Sequence, residues 1–159
     1  RAASASVLDL LGWRLDRVAV VGFSGRADLA LPLVGDRSAV LGALAGLRTG
    51  EGTRIDLGLK EADRALAGGR PGARPVLILL TDGRQEKGLE AAALDAAEVQ
   101  KRRGVTVYTI GLGADADAGL LRAIASDPGR YLASPDESTL AARFAAILRA
   151  EVCPESLQP

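Results

Sequence analysis

A doubly wound α/β fold, with a mostly parallel central sheet flanked by helices, is the architecture this sequence predicts. Three observations carry it. Val76 to Leu80 is an unbroken apolar run, the pattern of a strand covered by helices on both faces. Val105 to Ile110 is a second strand-like run, one helical segment later. Strand-like and helix-like segments alternate along the chain, the order that builds a parallel sheet between helical layers.

The elements follow in order. Ala2 to Leu11 reads as a short helix or the back half of a longer one. Arg17 to Phe23 is a strand, with Val18, Val20 and Val21 as its β-branched residues and Ser24-Gly25 closing it. Asp28 to Val34 is a short edge strand, because Pro32 cannot donate to a ladder. Asp36 suits the N-cap of a helix running to about Leu47. The loop from Arg48 to Thr53 is polar and carries glycine. Arg54 to Ala67 then places Ile55, Leu59, Ala62 and Leu66 on one helical face, and Gly68-Gly69 ends it.

After the strand at 76–80, an Ala-rich helix spans about Gly88 to Arg103 and stops at Gly104. The strand at 105–110 leads through Gly111-Leu-Gly113 to a helix at about Ala116 to Ala125. A short strand at Tyr131 to Ala133 precedes the last helix, about Glu137 to Ala150, which packs through Leu140, Phe144 and Ile147. The reading is one Rossmann-like domain over 1–150 and a tail over 151–159. Trp13 is expected to plug the core near the first strand.

Composition narrows the chemistry. Lys plus Arg and Asp plus Glu both number 20, so no basic excess points to nucleic acid. No apolar run reaches the ~20 residues of a membrane helix. The chain has no His and a single Cys, Cys153. Zinc sites built from His and Cys, and nucleophile–His catalysis, are therefore excluded. A metal here is held by oxygen, which suits Mg²⁺, Ca²⁺ or Mn²⁺. There is no Met, including at position 1, and the expectation is that the chain does not begin where its gene begins. The Ala, Gly and Arg usage suggests a GC-rich bacterial source.

Thr81-Asp82-Gly83 breaks the apolar strand at its carboxyl end, where ligands bind in open α/β sheets. Asp82 reads either as an acidic ligand or as part of an Asp-Gly turn. Thr53, just before a periodic helix, reads either as an N-cap or as a ligand. Glu51 and Asp56 are expected to face solvent, with Asp56 favouring the helix dipole. Ser24 belongs to a turn. Gly111-Leu-Gly113, with Asp115 and Asp117, lacks the Lys and the spacing of a phosphate loop and reads as a strand-to-helix turn.

Taken in order, these landmarks resemble a von Willebrand factor type A domain. They are Asp-Arg-Val-Ala-Val-Val-Gly-Phe-Ser at 16–24, Gly-Thr at 52–53, Leu-Leu-Thr-Asp-Gly at 79–83, Gly-Val-Thr-Val-Tyr-Thr-Ile-Gly-Leu-Gly at 104–113, Ile-Ala-Ser at 124–126, Tyr131, and Pro-Asp at 135–136. The resemblance implies one divalent cation, Mg²⁺ or else Ca²⁺ or Mn²⁺, at a metal-ion-dependent adhesion site. Thr53 and Asp82 match two of that site's three parts. The remaining part, an Asp-x-Ser-x-Ser motif after the first strand, is absent from this sequence, so metal binding is conditional on it. In such domains the first strand lies mid-sheet, between the strands at 17–23 and 76–80. Without it both would leave backbone groups unpaired, at ~1–3 kcal/mol for each one buried. The domain is thus expected to be incomplete at its N-terminus and completed by an upstream or cleaved segment or by a strand from a partner.

The resemblance further implies a non-enzymatic binding or adhesion module whose cation captures a carboxylate of a protein partner. The alternatives are a subunit of an intracellular ATPase-linked complex and a metal-dependent hydrolase. The adhesive habit of the family points to an extracellular or cell-surface setting, with the cytoplasm as the alternative. Cys153 reads either as an unpaired Cys in a loose tail or, as the resemblance suggests, as the partner of a Cys just before the absent strand, in an oxidising compartment.

Overall fold

A computed structural model describes residues 8–48 and 50–152. Five strands and five helices follow in order: β1 (Val18–Phe23), β2 (Ala27–Val34), α1 (Arg37–Gly46), α2 (Ile55–Leu66), β3 (Val76–Thr81), α3 (Glu90–Arg102), β4 (Thr106–Leu112), α4 (Ala118–Ile124), β5 (Tyr131–Ser134) and α5 (Glu137–Val152). A single 3₁₀ turn, Pro128–Arg130, leads into β5. Most of the helix expected over 2–11, and Cys153, lie outside the described residues.

Local chemistry sets the helix starts. Asp36 caps α1, its Oδ1 accepting from the Ser38 and Ala39 amides. Helix α3 begins at Glu90 rather than at Gly88, because Gly88 takes a positive φ of 84° and breaks the turn before it. Helix α4 starts at Ala118 rather than Ala116, because Asp117 caps it through the Leu120 amide. Helix α5 runs to Val152, and Glu151 is fixed at both ends. Its carboxylate accepts from the Tyr108 hydroxyl at 2.6 Å, and its carbonyl accepts from Arg74 at 3.1 Å.

Among the described residues the sheet is in two pieces. Strands β1 and β2 form an antiparallel pair with irregular register near Val20, and β2 is the edge that Pro32 marks. Strands β3, β4 and β5 form a parallel sheet, with Val76 opposite Thr106 and Thr109 opposite Tyr131. The central β4 is buried at every position from Val107 to Gly111. Strand β3 instead alternates, with Leu77, Leu79 and Thr81 buried and Val76, Ile78 and Leu80 half-buried. This corrects the expectation of a strand covered on both faces. In β1 only Val20 is buried. The strands on either side of the break, like the outer strands β2 and β5, thus leave one face incompletely buried.

The core divides in the same way. The largest cluster joins Ile55 and Leu59 of α2 to Leu77, Leu79, Ala93, Ala97, Val107 and Leu121, with Phe23 of β1 packed against it. A second lies around Leu8, Val20 and Val40, where half-buried Trp13 packs and donates to the Leu8 carbonyl. The third holds Tyr108, Ile110 and Ile147, with Leu140 and Phe144 beside them. Helix α2 contributes to the cluster that reaches both sheets. Its Gly58 lies so near Phe23 that a Cβ would meet the ring at 3.0 Å.

Leu59 is 1% exposed at the centre of that shared cluster. Leu59→Ala is expected to lower unfolding free energy by ~2–5 kcal/mol in urea denaturation. Leu15→Ala, at a 69% exposed residue, should stay within ~0.5 kcal/mol of the parent.

Candidate functional site

Three loops meet at the carboxyl ends of β1 and β3. They are the turn at 24–26, the loop that ends at Arg54 before α2, and the loop at 82–88 after β3. The Gly25 amide donates to the Glu51 carbonyl at 2.7 Å, and the Arg54 amide donates to the Ser24 carbonyl at 2.7 Å. The Glu86 amide donates to the Thr53 carbonyl at 3.0 Å. Contact is close enough to require glycine: a Cβ on Gly83 would lie 2.7 Å from Thr53 Oγ1, and one on Gly52 would lie 2.6 Å from Glu86 Oε1. Gly52 also holds a φ of 79°.

This geometry places Thr53 against the residue that follows Asp82. It also bears on the structural uses open to each. Thr53 is not the N-cap of α2: Arg54 holds that position, with no side-chain cap bond. The Thr53 hydroxyl has no hydrogen-bond partner among the described residues. Asp82 does not close its own turn; the Thr81 hydroxyl does, accepting from the Gly83 amide at 3.2 Å. The Asp82 carboxylate is exposed and has no polar partner among the described residues. One hydroxyl and one carboxylate, both uncommitted and on touching loops, are donors of the type that Mg²⁺, Ca²⁺ or Mn²⁺ takes. They supply part of a coordination shell. Among the described residues no group of three or more His, Cys, Asp or Glu stands together as a cation site.

Asp56 departs from expectation. It is 1% exposed rather than solvent-facing. Arg54 grips it in a fork, Nε on Oδ1 at 2.8 Å and Nη2 on Oδ2 at 2.9 Å. Gln85 adds a donor to Oδ1 at 2.9 Å, and its own Oε1 accepts from the Ile55 amide at 2.6 Å. Gln85 thereby satisfies an amide at the start of α2 that the local sequence leaves open. The Arg54 hydrogen bonds, opposed by burial and aided by Gln85, hold the Asp56 carboxyl at about 2, below its usual 3.8. Sequence reasoning missed Arg54 and Gln85. Both sit in polar loops, and no local pattern marks either.

A cleft of about 560 Å³ opens beside these loops, between the β1–β2 turn and the end of α1. Phe23, Leu47, Arg26, Arg48 and Glu51 are among its walls. Ser24 sits in its turn as expected, its amide donating to the Arg26 carbonyl at 2.8 Å. Among the described residues no helix is long and apolar enough to cross a membrane.

The sequence profile of the von Willebrand factor type A domain matches residues 3–145. An uncharacterised protein of Synechocystis, sll0103, is 31% identical over 128 residues, which cover 77% of this chain and 30% of that protein. The chain thus spans less than a third of that relative's length. Proximal thread matrix protein 1 from the mussel byssus, solved with a zinc-occupied MIDAS motif, superposes with a TM-score of 0.79 at 22% identity, over 94% of this chain and 39% of that one. The von Willebrand factor domain of the type V pili tip protein Mfa5 from Porphyromonas gingivalis gives 0.80 at 14% identity, over 94% and 86%.

The depressed Asp56 carboxyl makes stability pH-dependent. A value lowered from 3.8 to about 2 on folding contributes stability that is fully present above pH ~4. That contribution, roughly 2 kcal/mol, is lost as pH falls through ~2. Urea midpoints measured from pH 6 to pH 2 should fall more steeply in the parent than in Asp56→Asn. Equal slopes would exclude this carboxylate as a source of the acid sensitivity.

Proposed function

Because the chain belongs to the von Willebrand factor type A family, we propose that it is a non-enzymatic protein-binding module that uses Thr53 and Asp82 to hold a divalent cation and capture a partner's carboxylate. The observation that carries this reading is the pair itself. The Thr53 hydroxyl lies beside Gly83, and among the described residues neither it nor the Asp82 carboxylate has a hydrogen-bond partner. When bound, the cation supplies a charge with a coordination position open to an external oxygen. Mg²⁺ is the first candidate, with Ca²⁺ and Mn²⁺ behind it. The zinc in the MIDAS motif of the mussel protein adds that ion as a further one to test.

The residues around the pair suit recognition better than catalysis. There is no His to act as a base, and Asp56 is committed to Arg54 and Gln85. The cleft beside the loops has room for a segment of the partner's chain. Structural likeness to a pilus tip protein supports an extracellular or cell-surface role. No comparable observation favours an ATPase-linked subunit or a hydrolase.

The break in the sheet favours a second element of the same reading. Strands β1 and β3 each have a neighbour on one side only, among the described residues. Val20 is the one buried residue of β1 and β3 alternates between buried and half-buried, where β4 is buried from Val107 to Gly111. An added apolar strand, from an upstream segment or from a partner chain, would pair both edges and supply the missing third part of the cation site. Intact-mass analysis with N-terminal sequencing of the purified protein should find such a segment or a co-purifying chain. A single folded species starting at Arg1, with no second chain, would end this element of the proposal.

For the cation itself, Mn²⁺ titration of the full gene product by calorimetry is expected to give one saturable site. Asp82→Ala should abolish it and Thr53→Ala should weaken it at least ~10-fold, with little change in stability. Undiminished binding by Asp82→Ala would overturn the assignment.

A further inference from the structure

Within itself the loop that carries Asp82 is held by the Thr81 hydroxyl on Gly83 and by the Leu89 amide on the Glu86 carbonyl. Asp82, Arg84, Glu86, Lys87 and Gly88 are all exposed, and Gly83 is half-buried. Gln85 is the one buried residue from 82 to 88, at 5% exposure. Both polar atoms of its side chain are engaged, and by partners of opposite kind. An amide donor, Ile55 N–H, takes Oε1, and a carboxylate acceptor, Asp56 Oδ1, takes Nε2. That pairing allows one orientation of the side-chain amide. Asp56 is itself immobilised by the Arg54 fork.

We propose that Gln85 is the positioning residue of the candidate cation site, clasping the Asp82 loop to the start of α2 so that the Asp82 and Thr53 oxygens are held at one separation. This inference rests on the cation reading above and adds to it a residue that touches neither the ion nor its partner. The chain from Thr53 to Asp56 is three residues long, and so is the chain from Asp82 to Gln85. A clasp between Gln85 and residues 55 and 56 therefore fixes both ligands within one short closed loop. The Glu86 amide on the Thr53 carbonyl closes it further. Partners of this outer kind orient ligands, and their loss weakens metal affinity ~10–100-fold.

The test compares the full gene product with Gln85→Ala, Gln85→Glu, Asp82→Ala and Val40→Ala. Gln85→Glu keeps the size of the side chain but replaces the donor facing Asp56 with a carboxylate oxygen. Val40 is the fully buried residue of α1, in the cluster with Leu8 and Val20, and serves as a destabilised control outside the loops. Two readouts are taken, Mn²⁺ affinity by calorimetry and amide hydrogen exchange. Expected are a ~10-fold or greater loss of Mn²⁺ affinity in both Gln85 variants, and loss of protection at the Ile55 and Glu86 amides in Gln85→Ala. Val40→Ala should bind Mn²⁺ within about twofold of the parent and keep those two amides protected.

Unchanged exchange at Ile55 and Glu86 in Gln85→Ala overturns the clasp, whatever the metal does. Parent-like Mn²⁺ affinity in Gln85→Glu overturns it in favour of simple packing. A parent protein that binds no Mn²⁺, like Asp82→Ala, overturns the cation reading instead, and the exchange data then judge the clasp separately.

Discussion

Helix α2 is the element on which the rest of this structure depends. The two sheets share no hydrogen-bonded ladder among the described residues, so side-chain packing and the loop hydrogen bonds through residues 51–54 relate them. Ile55 and Leu59 place the buried face of α2 in the same cluster as Leu77 and Leu79 of β3, with Phe23 of β1 against it. Gln100 of α3 donates to the Leu59 carbonyl at 2.8 Å and ties the next helix to the same face. Removing apolar volume here loosens the relation between the sheets as well as the local core.

The same helix organises the loops above the sheet. Its first amides need partners that its own sequence does not provide, because Arg54 at the N-cap has no short oxygen side chain. Gln85 meets that need across 30 residues of chain. The consequence for function is indirect. Thr53 is relieved of capping, and its hydroxyl stays available beside Gly83 and Asp82. A helix start that borrows its cap from the ligand loop therefore couples fold stability to the geometry of the candidate site. The buried Asp56 adds a charge that is tolerable only while Arg54 and Gln85 both hold it.

Among the described residues β1 and β3 share no ladder, and burial differs on either side of that gap. A parallel strand normally buries both faces beneath helices, as β4 does. Strand β3 and strand β1 do so on one face at most, and the apolar residues split into separate clusters on the side of the break. Pairing both edges with one strand would join hydrogen bonding and apolar burial in a single step. Completion of the sheet and completion of the cation site are then the same event in the reading advanced here.

Much of this was legible in the sequence. The apolar run at 76–80, the face Ile55, Leu59 and Leu66, the Asp36 cap and Pro32 at the edge each announce an element, because backbone geometry repeats within a few residues. The lack of His leaves oxygen donors as what this sequence offers a hard cation. The fold class followed from those signals and from the family landmarks, and the structure sets Gly83, next to Asp82, against Thr53. Tertiary structure alone decided the rest. Asp56 looked like a solvated first-turn carboxylate, and it is buried, held by Arg54 two residues before it and by Gln85 29 residues away. Glycine and an aspartate cap shifted the starts of α3 and α4 by two residues from their apolar patterns. The half-burial of β3 could not be seen in its composition, which reads as buried on both sides. Periodicity records what each segment prefers, whereas burial and hydrogen-bond partners depend on which distant segments arrive beside it.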